Sequence, residues 1–587
     1  MAAIIDRNRT LWSRWGLPFL IVAPLIGVII LACGGAHAAP PDSLYINGHV
    51  YTVDETRRWV EAIAVTGDTI TAVGTNVSLT ASAGPKTRIV DLGGRMVMPG
   101  IHDAHTHLLM AGLKWTYECR LPQNAGREAV VAAVRACADK APGDDWIVAG
   151  EYNPNAFGEA PINNAFLDAA FPDRPVFLYE FSIHHALVNS KALALAGITR
   201  DSPDPPKGRI GRDPLTGELT GELIEMATVL ATRMIPPYPD EAYATALRFA
   251  IDNCHKFGIT SIQESSATRR LLQLYREFDN AGTLNLWVMA HIVWGSNKWG
   301  DATSAELDKL ISERATFATR HIDVDATKVW MDGAPLPPYF SQADIDTESG
   351  KPDPKNLLVS TEVLTDRLVK WRAAGIKPKI HVAGAGAARV ALDAIELAYG
   401  GPGNLTAPRP DLAHSDIIAD ADVIRYAPLG VIAEMSPAIW HLGDVAGFEV
   451  VNDWWPFASL LKSGAQMTIG SDWTLPPDPN LFPALEGAVT RRKQAVSLVQ
   501  AIDMMTRNGA ASVGQADRFG TVEVGKLANL IVLDRDLFAI EPSEIGETRV
   551  LMTVFEGRPV HVDPAAPESW RDLAATPIRK QGMEENP

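Results

Sequence analysis

Met98-Pro-Gly-Ile-His-Asp-Ala-His-Thr-His107 is the stretch from which the fold is read. His105 and His107 stand two residues apart, so on a β-strand both imidazoles point to one face, where both can grip a single metal ion. Alone, that spacing fits a polar strand end equally well. Working outward, eight apolar, strand-like runs alternate with helical patterns between about residues 98 and 515: 95–107, 258–264, 284–293, 326–332, 377–382, 411–417, 430–435 and 466–472. Such alternation is expected of parallel βα units, and eight of them close a barrel whose active site lies at the C-terminal ends of the strands. The expected fold class is α/β, a (β/α)8 TIM-like barrel.

Three later runs carry further metal-binding side chains. His381 follows Lys377-Pro-Lys-Ile380, His414 follows Asp411-Leu-Ala413, and Asp472 sits in Ile469-Gly-Ser-Asp-Trp473. Each has a bland reading, as a core histidine bonded to backbone or a Ser-Asp loop cap. Together they bring four imidazoles and a carboxylate to the ends of parallel strands, a donor set that zinc prefers and that Mn, Fe and Co also accept.

Residues 44–53 and 62–73 read as short strands with glycine turns, and 530–534 and 550–560 carry the same signature. Neither set suffices for a core of its own, so the two chain ends are expected to form one composite β-sandwich. The domain reading is 39–97 and 516–564 for the sandwich, 98–515 for the barrel, and 565–587 for a tail. The Pro- and Gly-rich stretch of about 112–243 is too long for one crossover and reads as a subdomain inserted at the barrel mouth.

Arg7, Arg9 and Arg14 precede an almost uncharged run, 17–32, and the small-residue site Ala36-His-Ala38. This is the pattern of a signal peptide over 1–38, with a lipoprotein (Cys33) or a retained anchor as alternatives. All three place the folded part outside the cytoplasm, in the periplasm or beyond, with the membrane involved only through that N-terminus. An oxidising compartment permits a disulfide between Cys119 and Cys137, while Cys254 reads as a buried small hydrophobe. The formal charge of −17 argues against nucleic acid as a partner. The expected partners are a small-molecule substrate and, at most, a second copy of the chain in a homodimer.

Pro-Gly-x-x-Asp-x-His-x-His, histidines on two later strands and an aspartate on the last resemble the amidohydrolase superfamily. More narrowly, Asn189-Ser190 with Lys191-Ala-Leu193, Gly217-Glu-Leu-Thr-Gly-Glu-Leu-Ile-Glu225, Lys328-Val-Trp-Met-Asp-Gly333 and Arg518-Phe-Gly-Thr-Val-Glu-Val-Gly-Lys526 resemble amidohydrolase family 3, the branch that includes N-substituted formamide deformylases. The resemblance covers essentially the whole mature chain. It implies a metal-dependent hydrolase of non-peptide C–N bonds holding one or two divalent ions. His105, His107 and Asp472 would hold one ion and His381 with His414 the other. Lys328 would be carboxylated by CO2 to bridge them, and Asp472 would act as general base and acid. A free Lys328 salt-bridged to Asp332 or a neighbour is the alternative. The same site could instead serve an esterase, lactonase or deaminase, and a barrel without turnover would be a periplasmic binding or envelope protein.

Some residues depart from the family pattern. Ala385 stands where an acid is common after the fifth-strand histidine, and Ser182-Ile183 replaces an Asp-Gly pair before His184. His184 therefore reads either as a substrate-site residue reaching in from the insertion or as a structural one. Trp440, His441 and Trp473 follow the seventh and eighth runs, where they either line an apolar substrate pocket or pack the rim. Asp103 is expected to orient the first strand. His102, His185 and His291 are expected to be packing residues.

Overall fold

The computed structural model describes residues 39–574, apart from 123, 139–144, 159–160, 296–302, 336–339, 405–407 and 438–453. The expected export segment, residues 575–587 of the tail, Trp440 and His441 thus lie outside the described residues. The described residues from Pro41 onward form one compact unit.

Eight parallel strands pair in chain order: β1 Ile101–Thr106, β2 Ile259–Ala267, β3 Trp287–Val293, β4 Ile322–Trp330, β5 Lys377–Val382, β6 Asp411–His414, β7 Ile432–Met435 and β8 Gln466–Ile469. The ring closes where Asp472 N donates to His105 O at 2.7 Å and Thr106 bridges Trp473 in parallel. Gly470 permits that closure, because a Cβ there would lie 2.6 Å from His105 N. Helices such as Arg269–Asn280 cover the outside; it is capped by Thr268 and buries Leu271, Leu272, Leu274, Tyr275 and Phe278 on one face. The expected (β/α)8 barrel is therefore present, with each of the eight expected runs contributing one barrel strand.

The first run divides, however. Met96–Pro99 and Ile101–Thr106 are separate strands broken at Gly100, and the former belongs to a different sheet. That six-stranded sheet runs Arg558–Val562, Val550–Phe555, Leu530–Leu533, Met96–Pro99, His49–Tyr51, Trp59–Val60, so strands from both chain ends meet between Leu530–Leu533 and Met96–Pro99. A four-stranded sheet from residues 43–91 packs with it through Tyr45, Ile63, Val532 and Met552. Trp570 joins this core at 1% exposure and its Nε1 donates to Asp91 O. Packed structure thus continues into the expected tail, because a single large aromatic ring anchors it without periodicity.

The insertion leaves the barrel between helices Leu108–Tyr117 and Asp240–Lys256. These pack so closely that a Cβ on Gly112 would lie 2.2 Å from Ala246 O. Between them stands a six-stranded sheet in the order Gly208–Arg212, Leu219–Glu225, His185–Val188, Val176–Glu180, Ile147–Tyr152, Cys119–Arg120. Cys119 and Cys137 form a disulfide across a separation of 18 residues, tying that sheet's edge to helix Arg127–Ala138, and Cys254 is free and buried. Closing a loop of this length stabilises by about 3 kcal/mol in the chain-entropy picture. The double Cys→Ser variant is accordingly expected to melt at lower temperature, and reductant should lower the wild-type melting point but leave the variant's unchanged.

Candidate metal centre

The C-terminal ends of the barrel strands converge on a buried set of donors. His105 lies near the end of β1 and His107 just beyond it, and Asp472 follows β8 in a left-handed backbone conformation (φ 50°) that turns its carboxylate inward. Ser471 holds that turn in place. Its N and Oγ both donate to Asp103, at 2.9 and 2.6 Å, and His105 N donates to the same carboxyl at 3.1 Å. Asp103 therefore pins the first strand to the last, as expected of a supporting residue.

One ligand atom from each of His105, His107 and Asp472 lies within 4.8 Å of the others. Asp472 Oδ1 is 3.3 Å from His107 Nε2 and 3.7 Å from His105 Nε2, and its Oδ2 is 3.9 Å from His414 Nδ1. The two remote ring nitrogens are anchored. His105 Nδ1 donates to Glu434 Oε2 at 2.5 Å, and His107 Nδ1 meets Ser266 Oγ at 2.8 Å. Anchoring Nδ1 turns Nε2 toward Asp472, the arrangement by which proteins orient imidazole ligands. The donor set therefore fits a divalent cation. Burial, followed by the nearby lysines and histidines, holds the His105 and His414 imidazoles well below their usual range. Neutral imidazole is the form that binds metal.

His414 adjoins both of its neighbours, with ring centroids 4.6 Å from His105 and 4.4 Å from His381. His381 Nε2 is 3.0 Å from Gly333 O. Lys328 is fully buried on β4, with Nζ donating toward His105 Nε2 at 3.2 Å. Burial and the charge of Lys379 push its amine down to about 7. Asp332 is no partner for it: that carboxylate accepts the backbone N–H groups of Ala343, Ala383 and Gly384. All six expected metal residues thus stand in one neighbourhood.

His184 reaches the same place from the insertion, its ring 6.0 Å from His381 and its Nδ1 3.1 Å from Glu225 Oε1. The cavity over the centre is walled by Ser182, His184, His381, His414, Asp416 and Asp472, with Trp454 and Trp455 supplying aromatic surface. Of the two readings open for Trp473, the structure shows the packing one. It is 1% exposed, packs in the main core and is absent from that wall, because the chain reversal that aims Asp472 inward turns the next side chain away.

Glu434, Glu264 and Ser266 were not anticipated. Glu264 accepts Leu108 N at 2.9 Å and Tyr275 Oη at 3.1 Å, fixing the start of the helix that follows His107. Burial pushes Glu434 up to about 7 and raises Glu264. Of the histidines expected to pack, His102 bonds Ser261 Oγ at 2.9 Å, and His185 and His291 are buried.

The sequence pattern of the amidohydrolase family matches residues 88–561. An N-substituted formamide deformylase of Arthrobacter pascens is 29% identical over 548 residues, covering 88% of this chain and 97% of that protein. The putative amidohydrolase YtcJ of Bacillus subtilis (strain 168) is 26% identical over 550 residues, covering 88% and 99%. Among solved structures, an uncharacterized metal-dependent hydrolase from Pyrococcus horikoshii OT3 superposes with a TM-score of 0.65 at 23% identity, covering 86% of this chain and 99% of that one.

Proposed function

Because the chain belongs to the amidohydrolase family, and is a metal-dependent hydrolase by that membership, we propose that it cleaves an amide, N-acyl or N-formyl C–N bond in a small molecule. The observation that carries this reading is the position of Asp472, with one carboxylate oxygen toward His105 and His107 and the other toward His414. His105, His107 and Asp472 would hold one divalent ion, His381 and His414 a second, and a carboxylated Lys328 would stand between them. Zinc is the ion we propose, on a donor set of imidazole and carboxylate. A cation bound there supplies Lewis acidity and a hydroxide nucleophile at neutral pH.

The chain's own groups account for the rest of the chemistry. Asp472 takes the proton of the attacking water on its carboxylate and passes it to the leaving nitrogen, a two-way role suited to a group held by Ser471 and the His105 backbone. Glu434 and Ser266 keep the His105 and His107 imidazoles aimed at Asp472 while the charge changes. His184, steadied by Glu225, and the Trp454–Trp455 pair wall the cavity against bulk water and offer a polar and an apolar surface to the substrate. The similarity to an N-substituted formamide deformylase supports a C–N bond as the target.

Metal analysis and a panel of small amides, esters and N-heterocycles test the reading. Purified protein is expected to carry divalent metal, to lose activity on chelation, to regain it with Zn, Mn or Co, and to prefer amides. Absence of metal and turnover after reconstitution would overturn the enzymatic reading, and preference for esters or ring deamination would overturn the choice of bond. We further propose that the protein works outside the cytoplasm. The N-terminal pattern and the Cys119–Cys137 disulfide support this, and recovery of the protein in the cytosolic fraction of the native cells would refute it.

A further inference from the structure

Asp416 stands two residues beyond His414 and walls the same cavity as His184, His381 and Asp472. It is 5% exposed, and among the described residues no donor reaches its Oδ1 in hydrogen-bond geometry, the Trp455 side chain being a looser polar neighbour of the carboxyl. The other buried acids nearby are engaged: Asp103 by Ser471, Asp332 by three backbone N–H groups, Glu264 by Leu108 and Tyr275, Glu434 by His105 and Ser436. Buried acceptors are nearly always satisfied, and one left open destabilises the fold.

A loose loop does not explain it. His414 and Ser415 both adopt left-handed backbone (φ 70° and 45°), a costly pair for non-glycine residues. Ser415 Oγ donates to Leu412 O at 3.0 Å, Trp455 N donates to Asp416 O at 2.8 Å and Ile417 N donates to Ala383 O at 3.2 Å. The backbone is thus fixed on both sides of Asp416, in a conformation that leaves a carboxyl oxygen open at the cavity wall. Strain together with an unmet acceptor is what a binding site shows before its ligand arrives.

An amide presents two polar groups. Its carbonyl oxygen is the one drawn to a cation, which leaves the N–H as the donor. Resting on the amide reading of this site, we propose that Asp416 Oδ1 accepts the N–H of the scissile amide and so selects primary and secondary amides over tertiary amides and esters. Oδ1 accepts whether or not the other oxygen carries a proton. A tertiary amide sets a carbon against it and an ester sets an oxygen lone pair there, and either leaves the acceptor buried and unpaired. Sites built around a substrate N–H reject analogues lacking it far more strongly than apolar pockets reject a missing methylene.

The test uses metal-loaded enzyme and three otherwise identical tetrahedral inhibitors: an N-benzyl methylphosphonamidate, its N-methyl form, and the phosphonate ester with oxygen in place of N–H. Hydrolysis of the matching secondary amide, tertiary amide and ester is measured alongside. Wild type is expected to bind the N–H compound about tenfold more tightly than the other two, the size of one good hydrogen bond. Asp416→Ala is expected to lose that preference, and Asp416→Asn, which keeps a carbonyl acceptor, to retain part of it. Asp416→Ala should also melt no lower than wild type, since it removes an unpaired group, whereas a purely structural carboxyl would lower the melting point. Wild type without an N–H preference overturns the proposal whatever the variants do, as does an undiminished preference in Asp416→Ala. Hydrolysis of the amides in either case leaves the amide reading standing, and failure to bind or cleave any compound overturns both.

Discussion

Asp472→Asn is expected to lower kcat by at least about 10³-fold with a much smaller change in KM, in line with the loss of a positioned general acid–base. Asparagine keeps the shape of the side chain and one acceptor oxygen, but it cannot take a proton from water or return one to nitrogen. Under the proposed function this residue has two duties. Oδ1 lies 3.3 and 3.7 Å from the Nε2 atoms of His107 and His105, and Oδ2 lies 3.9 Å from His414 Nδ1. Its backbone is fixed by the 2.7 Å bond to His105 O and by Ser471 on Asp103, so a substitution that preserves the turn should leave the fold intact. Asp472→Ala removes both duties and is expected to lose bound metal as well. Comparing the two variants by metal content and steady-state kinetics separates ligation from proton transfer. A metal-replete Asp472→Asn enzyme with kcat within tenfold of wild type would sink the proton-carrying role.

What the sequence made legible was whatever repeats along the chain. The barrel strands are short apolar runs that end in a polar residue, and side chains that meet only in three dimensions still announce themselves one strand at a time. His105, His107, His381, His414 and Asp472 were visible for that reason. The support beneath them was not. Glu434 lies inside the apolar run Val431-Ile-Ala-Glu-Met435, an acid out of place by composition, yet its partner His105 is 329 residues away and nothing local connects them. Ser266 and Glu264 end β2 with no feature to distinguish them from a loop start. The division of the first run at Gly100 was hidden because Met96–Pro99 and Ile101–Thr106 are equally apolar, and only packing assigns them to different sheets. Trp473 stayed open between pocket and packing for a related reason: nearness in sequence to Asp472 says nothing about direction once the backbone enters the left-handed region at Asp472.

Lys328→Ala is expected to lose most of its bound metal and at least about 10³-fold in activity, with part of both restored by acetate or propionate, since a missing ligand costs affinity as well as chemistry. The argument starts from charge. Lys328 is fully buried with Nζ 3.2 Å from His105 Nε2, and Lys379 lies beside it in register on β5. An ammonium there would face divalent cations at close range in a poorly solvated interior, which is electrostatically unfavourable. If the neutral amine instead attacks the carbon of CO2 and releases a proton, the product is a carbamate anion, and the sign of the charge at that point reverses. A small carboxylate diffusing into the space left by alanine would reproduce that anion, whereas methylamine would not. Enrichment with 13C-labelled CO2 followed by carbon NMR reads the carbamate directly in the wild type and needs no turnover. Full activity and full metal content in unrescued Lys328→Ala, or no labelled carbamate in the metal-loaded wild type, would remove Lys328 from the centre. The four histidines and Asp472 would then have to hold the metal without a bridge, with Glu434, bonded to His105 and 3.9 Å from Lys379, beneath them.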